Sequence, residues 1–516
     1  MESQSHRRRR RRRSSAATAE EDRLSSLPDD LLQSILRGLP LKHAVRTSAL
    51  SRRWAHRWLR ALAASLVLDL TDRDFARGQP PARAAATVTR CLWLHAEHGA
   101  PLHAFRVALV SPPPRSRRLV GDVVGWVSAA VARGAREVEV DLAPPPPQEE
   151  EDDGRGAAAL VKLPADVFRA RSSLERLALG VFSLRTLAFP AAGLAGLRSL
   201  SLTNTNVTDD AVRLVLTTCP ALESLVLIRC PLLASVTVAS ETLRVLEVAG
   251  CRAVRALRVA APALESLAFH GRIFYFHGRS YGDPVVFELG AMPALRDAYL
   301  SHLGCDFDFG VAQDEQTYPY LYNAVAHART LTICSAVLVL LQQAHSADET
   351  AAYANAQNLE ELQLLMGTQG SLDVELEHLS TFFTIASLGP VLKRLFVRLI
   401  SPADLYYGGG RSSVAAAAAD ETIFDQLAFI KVVNFSGTKR ELRLLRFLLK
   451  RAPVLEEMVV VVAVEGEGAP GDEQLKALQK QVPRLRKASR QARVSVCRPD
   501  QDDSPNHAHT KFFHEE

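Results

Sequence analysis

Apolar side chains at Leu27, Leu31, Leu32, Ile35, Leu36 and Leu39 recur at spacings that line one face of a helix. Pro28 suits a first-turn position, Asp29 and Asp30 put negative charge at the positive end of the helix dipole, and Gly38 and Pro40 stop the helix. A second short helix is predicted with Ala44, Val45, Ser48 and Ala49 on one side, and a third carries Trp54, Trp58 and Leu59. Helices this short cannot enclose all those large side chains, so part of their apolar surface is expected to meet a partner.

Beyond them the period changes. Leu66 to Leu70 alternates like a strand, and residues 81–98 read as a helix anchored by Cys91, Leu92 and Leu94. From about residue 100 one phrase recurs: apolar, two residues, apolar, one residue, apolar. It opens at Leu102, Ala135, Leu174, Leu197, Leu222, Leu243, Leu264, Leu295, Ala328, Leu359, Leu392, Leu427 and Leu455, at intervals of 21 to 39 residues. One such phrase in a leucine-rich chain means little, but thirteen in quasi-regular succession predict stacked repeats, none of which buries its leucines alone. Proline opens several units (Pro220, Pro262, Pro453) by ending the segment before the strand. Cys230 and Cys251 follow two of the strands, where a small buried side chain suits a tight bend.

Three stretches break the rhythm: the proline-rich acidic 144–156 and the Gly/Ala-rich 408–419, read as surface excursions, and the aromatic-rich 270–287, read as a hairpin edging the repeats or as a partner contact. Near the end, Glu441 to Arg451 forms an amphipathic helix through Leu442, Leu445, Leu448 and Leu449, followed by Pro453 and a strand. Gln474 to Arg486 offers a further helix, and 498–516 reads as a disordered polar tail, as does the arm 1–22 at the other end.

The string LSSLPDDLLQSILRGLPLKHAVRTSALSRRW resembles the F-box of plant F-box proteins, in its Leu-Pro-Asp-Asp, its paired leucines, Leu39-Pro40 and the run into Trp54. The repeated phrase resembles the leucine-rich repeat, and residues 433–462, with Asn-Phe-x-Gly, a Leu-rich helix and Ala-Pro-x-Leu-Glu-x-Met, resemble the FBD region. The resemblance implies an α/β architecture: a helical F-box at 23–61, an irregular leucine-rich-repeat solenoid at 62–432 and an FBD-like cap at 433–497. It also implies a substrate-recognition subunit of an SCF-type cullin ubiquitin ligase, docked on a Skp-type adaptor and through it on cullin, and binding a protein substrate for ubiquitination. The alternative is an interaction scaffold not coupled to ubiquitination. On the resemblance, Leu27, Pro28, Leu31, Ile35, Leu36, Leu39, Val45 and Trp54 are the candidates for adaptor binding.

Strand alternation turns the residues between the core positions outward, onto a concave face expected to grip substrate. Aromatic and arginine side chains dominate binding energetics, which selects His270, Tyr299, Arg394, Phe396 and Arg398.

Charge and composition change this picture little. Arg7, Arg8, Arg9, Arg10, Arg11, Arg12 and Arg13 supply seven positive charges against a net +5, so the remainder is slightly acidic. That run is open to three readings: a solvated arm, a nuclear import signal or a weak nucleic-acid contact. The nucleus and the cytoplasm are the expected compartments. Seven scattered cysteines predict neither a disulfide framework nor a zinc site, and the pairs His95/His98 and His507/His509 read as surface histidines. No apolar run approaches the ~18 residues of a membrane helix. No nucleophile elbow, phosphate loop or zinc-protease motif is present, so neither catalysis nor a cofactor nor a metal is expected.

Overall fold

A computed structural model describes residues 27–39, 41–55, 57–71, 80–109, 117–142, 160–164, 167–168, 173–184, 194–273, 286–302, 317–334, 356–366, 376, 379–380, 382–383, 388, 390–399, 423–464 and 469–511. The excursions at 144–156 and 408–419, most of 270–287, and the arm with Arg7–Arg13 lie outside these residues. The chain forms two compact units, one of residues 1–159 with 172–174, the other of 160–171 with 175–516.

In the first unit, α1 (Asp29–Arg37), α2 (Leu41–Arg46) and α3 (Arg57–Ala63) gather around Leu32, Leu36, Ala44, Trp54 and Ala61. Asp29 pairs with Arg53 at 2.7 Å and Arg57 at 2.8 Å; these hydrogen bonds hold its carboxyl down at about 2 and tie the start of α1 to α3. Then β1 (Val67–Leu70), α4 (Pro81–Glu97), β2 (Ala104–Leu109), α5 (Arg117–Ala132) and β3 (Glu137–Leu142) follow as two parallel βαβ turns. Leu102, Phe105, Val107, Ala135, Val138 and Val140 are all buried, and the Trp126 indole of α5 donates to Thr89 of α4 at 2.9 Å.

The second unit holds the remaining repeats. Short β4 (Val161–Lys162) pairs with β6 (Phe182–Ser183). The main parallel ladder runs through β5 (Arg176–Gly180), β7 (Ser199–Thr203), β8 (Ser224–Ile228), β10 (Val245–Ala249), β12 (Ser266–Gly271), β14 (Asp297–His302) and β15 (Thr330–Cys334). It continues through β16 (Glu361–Met366), β17 (Arg394–Leu399), β18 (Phe429–Phe435), β19 (Glu457–Val462) and β20 (Arg493–Cys497). Core positions stack in register, Leu200 on Leu225, Leu225 on Leu246 and Leu246 on Leu267, each almost fully buried.

Repeat length decides what returns the chain. The 25-residue step from Leu197 has room for α6 (Asp209–Thr218), and the 33-residue step from Leu295 for α7 (Thr317–Val325). The 21-residue steps from Leu222 and Leu243 do not, and return as β9 (Ser235–Ala239) and β11 (Ala256–Ala260); β11 pairs in parallel with β9 on one side and with β13 (Val286–Leu289) on the other.

Strands β5, β7, β8 and β10 end in a left-handed residue: Val181, Asn204, Arg229 and Gly250, with φ of 67°, 51°, 50° and 65°. Each turns its N–H onto the last carbonyl of the next strand or its neighbour, as Asn204 does to Ile228 at 2.9 Å and Gly250 to His270 at 2.8 Å. The conformation is costly for a β-branched residue such as Val181, yet it recurs because it keeps the backbone polar groups paired from repeat to repeat. Cys230 and Cys251 are buried just after these turns, the Cys230 N–H lying 3.4 Å from the Cys251 sulfur.

The FBD-like region at 433–497 stands at the end of the ladder and is built into it. It carries α8 (Lys439–Arg451), β19, α9 (Asp472–Gln481) and β20, and so extends the same ladder. Thr438 starts α8 two residues before the sequence suggested: its hydroxyl accepts from Glu441 N–H at 3.2 Å, and the Glu441 carboxylate accepts from Thr438 N–H at 2.8 Å. Pro483, lying in a 3₁₀ turn over Val482–Arg484, cuts the last helix shorter than expected.

Candidate functional site

Two surfaces stand out, one on each unit. On the first, α1 is apolar on two sides. Leu32 and Leu36 point into the helical core, while Leu31 and Ile35, one turn apart, point outward with 51% and 41% of their surface accessible. Leu39 and Val45 are exposed as well, as is Pro28 just before the helix. Leu50, which the sequence reading did not select, is more exposed still. The candidate adaptor-binding residues therefore divide. Pro28, Leu31, Ile35, Leu39 and Val45 lie on the surface and Leu27 is half-buried against the core. Leu36 and Trp54, at 2% each, are core residues that support the face and do not form it, because the three helices close around them.

On the second unit the concave face departs from expectation. Outward positions are half-exposed on β7 and β8, as strand alternation predicts, but on β14 to β18 most positions on both faces are buried. Three of the five selected residues are buried, His270, Tyr299 and Phe396; Arg394 is exposed but paired with Glu361, and Arg398 is half-buried. His270 joins Ser301 at 2.7 Å. Tyr299 and Phe396 are covered by imidazoles, with ring centroids 5.7 Å from His509 and 5.2 Å from His507.

Those histidines belong to the stretch that reads as a disordered tail. Residues 498–511 instead return across the sheet. Lys431 of β18, 2% exposed, meets Asp502 at 2.6 Å and donates to the Asn506 side-chain oxygen at 2.6 Å and to the Pro505 carbonyl at 3.2 Å. Glu361 of β16 accepts from the Ala508 N–H at 3.2 Å and faces His507 Nε2 at 3.5 Å. His509 places Nε2 3.0 Å from Asp297 of β14 and Nδ1 2.8 Å from the Thr332 hydroxyl of β15. Lys511 reaches Glu247 of β10 at 3.7 Å.

Titration follows from this burial. Burial pushes the Asp502 carboxyl up, and hydrogen bonds from Lys431 and Ser504 outweigh it, so the net shift is downward. Burial lowers His507 from an ordinary 6.5 to about 3, helped by the neighbouring His509 and Arg394 charges. Its Nδ1 accepts from the His509 N–H at 3.0 Å, so the seated ring is neutral. A released ring would take a proton near 6.5, which means docking weakens as pH falls below that value. In a His509→Gln chain, where His507 is the imidazole left in the seated segment, docking is expected to weaken by about 1.4 kcal/mol from pH 7.5 to 5.5. Protection of the amides at 502–511, corrected for intrinsic exchange, measures this; protection that rises on acidification contradicts it.

The surface reading of the histidine pairs also fails at His95. Fully buried, it sits 2.6 Å from the Ser65 carbonyl through Nε2, and Arg133 donates to its Nδ1 at 2.6 Å. Among the described residues, no group of three or more His, Cys, Asp or Glu is placed to hold a metal.

The sequence reading missed Lys431 and the returning segment. A lone lysine between Ile430 and Val432, in an otherwise apolar strand, was one available signal. The alternation His507, His509, Lys511, which is strand-like rather than tail-like, was another.

Fold and surfaces define an α/β solenoid carrying a helical module with an exposed apolar face. Comparisons with known proteins are more specific. The F-box domain model matches residues 24–60, the model for the LRR repeats of FBD-associated F-box protein At5g56370 matches 123–296, and the FBD model matches 423–460. The chain therefore has an F-box, leucine-rich repeats and an FBD, in that order. Similar proteins of Arabidopsis thaliana include F-box protein At5g03100, 29% identical over 208 residues, 40% of this chain and 56% of that protein. FBD-associated F-box protein At5g60610 is 30% identical over 213 residues, 40% and 46% of the two chains. F-box/FBD/LRR-repeat protein At5g22700 is 32% identical over 120 residues, 23% and 24%. The matched stretches span little more than half of these relatives at most.

Proposed function

We propose that this chain is the substrate-recognition subunit of an SCF-type cullin ubiquitin ligase. The observation that carries the reading is the double-sided α1. A module whose core is closed by Leu32, Leu36, Ala44, Trp54 and Ala61 still presents Leu31, Ile35, Leu39, Val45 and Leu50 to solvent. Large apolar side chains exposed outside a completed core mark an interaction surface, and the F-box match supports a Skp-type adaptor as its partner. The repeats supply the second hand, a ladder whose strand face offers side chains at regular spacing to a protein ligand. Holding that ligand near a charged ubiquitin carrier raises its effective concentration and fixes its orientation, so the chain itself needs no catalytic group.

The test is affinity purification from plant cells of the wild-type chain and of the chain with Leu31→Asp and Ile35→Asp. Adaptor and cullin are expected with the wild type alone, and proteins held by both forms are expected to carry more ubiquitin when the wild type is present. Equal ubiquitination of the held proteins in both samples supports the scaffold alternative instead.

A further inference from the structure

The segment Asp502–Lys511 crosses the ladder against the order of the repeats: Asp502 at β18, His507 at β16, His509 at β14 and β15, Lys511 at β10. From β18 to β10 is six strand steps, about 29 Å at ~4.8 Å each. Nine residues of extended chain reach about 30 Å. The span is covered unevenly: the stretch from Asp502 to His507 crosses two strand steps and turns at Ser504, whose N–H and hydroxyl bond the Asp502 carboxylate, and His507 to Lys511 crosses the other four. Each alternate side chain from His507 to Lys511 finds a carboxylate: Glu361, Asp297 and Glu247. Five residues before His507, the Asp502 carboxylate finds the one buried lysine among the described residues, Lys431. Backbone is read as well, at the Pro505 carbonyl and the Ala508 N–H.

We infer that the strand face from β10 to β18 is a groove for an extended peptide, that residues 502–511 fill it as an internal ligand, and that a partner segment enters by displacing them. The inference rests on the repeats being the ligand-binding part of the chain. It adds the chemistry of the partner: a segment with an acidic residue, four intervening residues, then a neutral imidazole, a second histidine two residues on and a basic side chain two residues beyond that. Such a segment satisfies Lys431, Glu361, Asp297 and Glu247 in turn. A uniformly acidic peptide meets three carboxylates, and a uniformly basic one leaves Lys431 against like charge. Tethering sets the threshold for entry, because a segment joined to its groove by a few residues competes at an effective concentration of about millimolar.

The probe is a fluorescein-labelled peptide with the sequence of residues 498–511, titrated into the full chain and read by anisotropy. In the chain with His507→Glu and His509→Glu, the tail's carboxylates face Glu361 and Asp297, and its own segment is expelled. That variant is expected to bind the peptide at least tenfold more tightly than the wild type does, and to lose it when Lys431→Glu is added. No binding by a variant with the wild-type circular dichroism spectrum, or equal binding by both chains, overturns the inference. A second measurement needs no substitution. Isotope-labelled wild-type chain is incubated with excess unlabelled peptide, and hydrogen exchange of its own 502–511 amides is followed. Faster exchange with rising peptide is expected; unchanged protection at several millimolar peptide overturns displacement. Neither assay contains an adaptor, so a failure here is separate from a failure of the ligase reading.

Discussion

Leu31→Asp together with Ile35→Asp is expected to abolish capture of a Skp-type adaptor while leaving the chain folded. Both side chains are substantially exposed in the free chain, so each aspartate is solvated there and the stability change stays within about 0.5 kcal/mol for each site. In a complex the same positions are covered by apolar surface, and an unpaired carboxylate so buried costs several kcal/mol. Affinity should fall at least ~100-fold, which corresponds to about 2.7 kcal/mol. Leu32→Asp, one residue along the same helix, gives the opposite pattern. Its side chain is fully buried, so it unfolds the helical module and loses adaptor as a consequence. Adaptor titration beside thermal melts separates the two. Melting of the Leu31/Ile35 variant like the Leu32 variant would mean that the exposed face belongs to the core.

Leu246→Ala is expected to destabilise the solenoid by about 2–5 kcal/mol, the usual cost of deleting a fully buried leucine side chain and leaving a cavity. Leu246 is stacked between Leu225 and Leu267 in the middle of the ladder. In a repeat protein each unit leans on its nearest neighbours. Amide exchange should therefore quicken first in β8, β10 and β12, and later in β18 and β19. A uniform rise in exchange over the second unit, or a loss below 1 kcal/mol by denaturant unfolding, would show that the repeats are not coupled in this nearest-neighbour way.

The repeat core was legible because its signal is redundant. Leu200, Leu225, Leu246 and Leu267 each announce the same strand position, and every one of them is buried where the phrase places it. The division of α1 was not legible, since Leu31, Leu32, Ile35 and Leu36 are alike in hydropathy and only the packing of Ala44, Trp54 and Ala61 decides which pair turns inward. Hydropathy alone therefore groups Leu36 and Trp54 with the contact face, and packing assigns them to the core. The returning segment was illegible for another reason. Its own composition is polar, and what holds it in place is scattered over Glu247, Asp297, Thr332, Glu361 and Lys431, residues distant in sequence that only the stacked ladder aligns. Strand alternation gave no hint that His509 and His507 would cover Tyr299 and Phe396.

The most direct test of the account is hydrogen exchange of the full chain titrated with a purified Skp-type adaptor. A one-to-one complex is expected, with new protection in residues 28–50, through α1, α2 and the turn after it, and unchanged exchange along β10 to β18 and the 502–511 segment. Protection that falls on the strand face of the repeats, or no complex at all, would contradict the assignment of the helical face to the adaptor and of the repeats to the substrate.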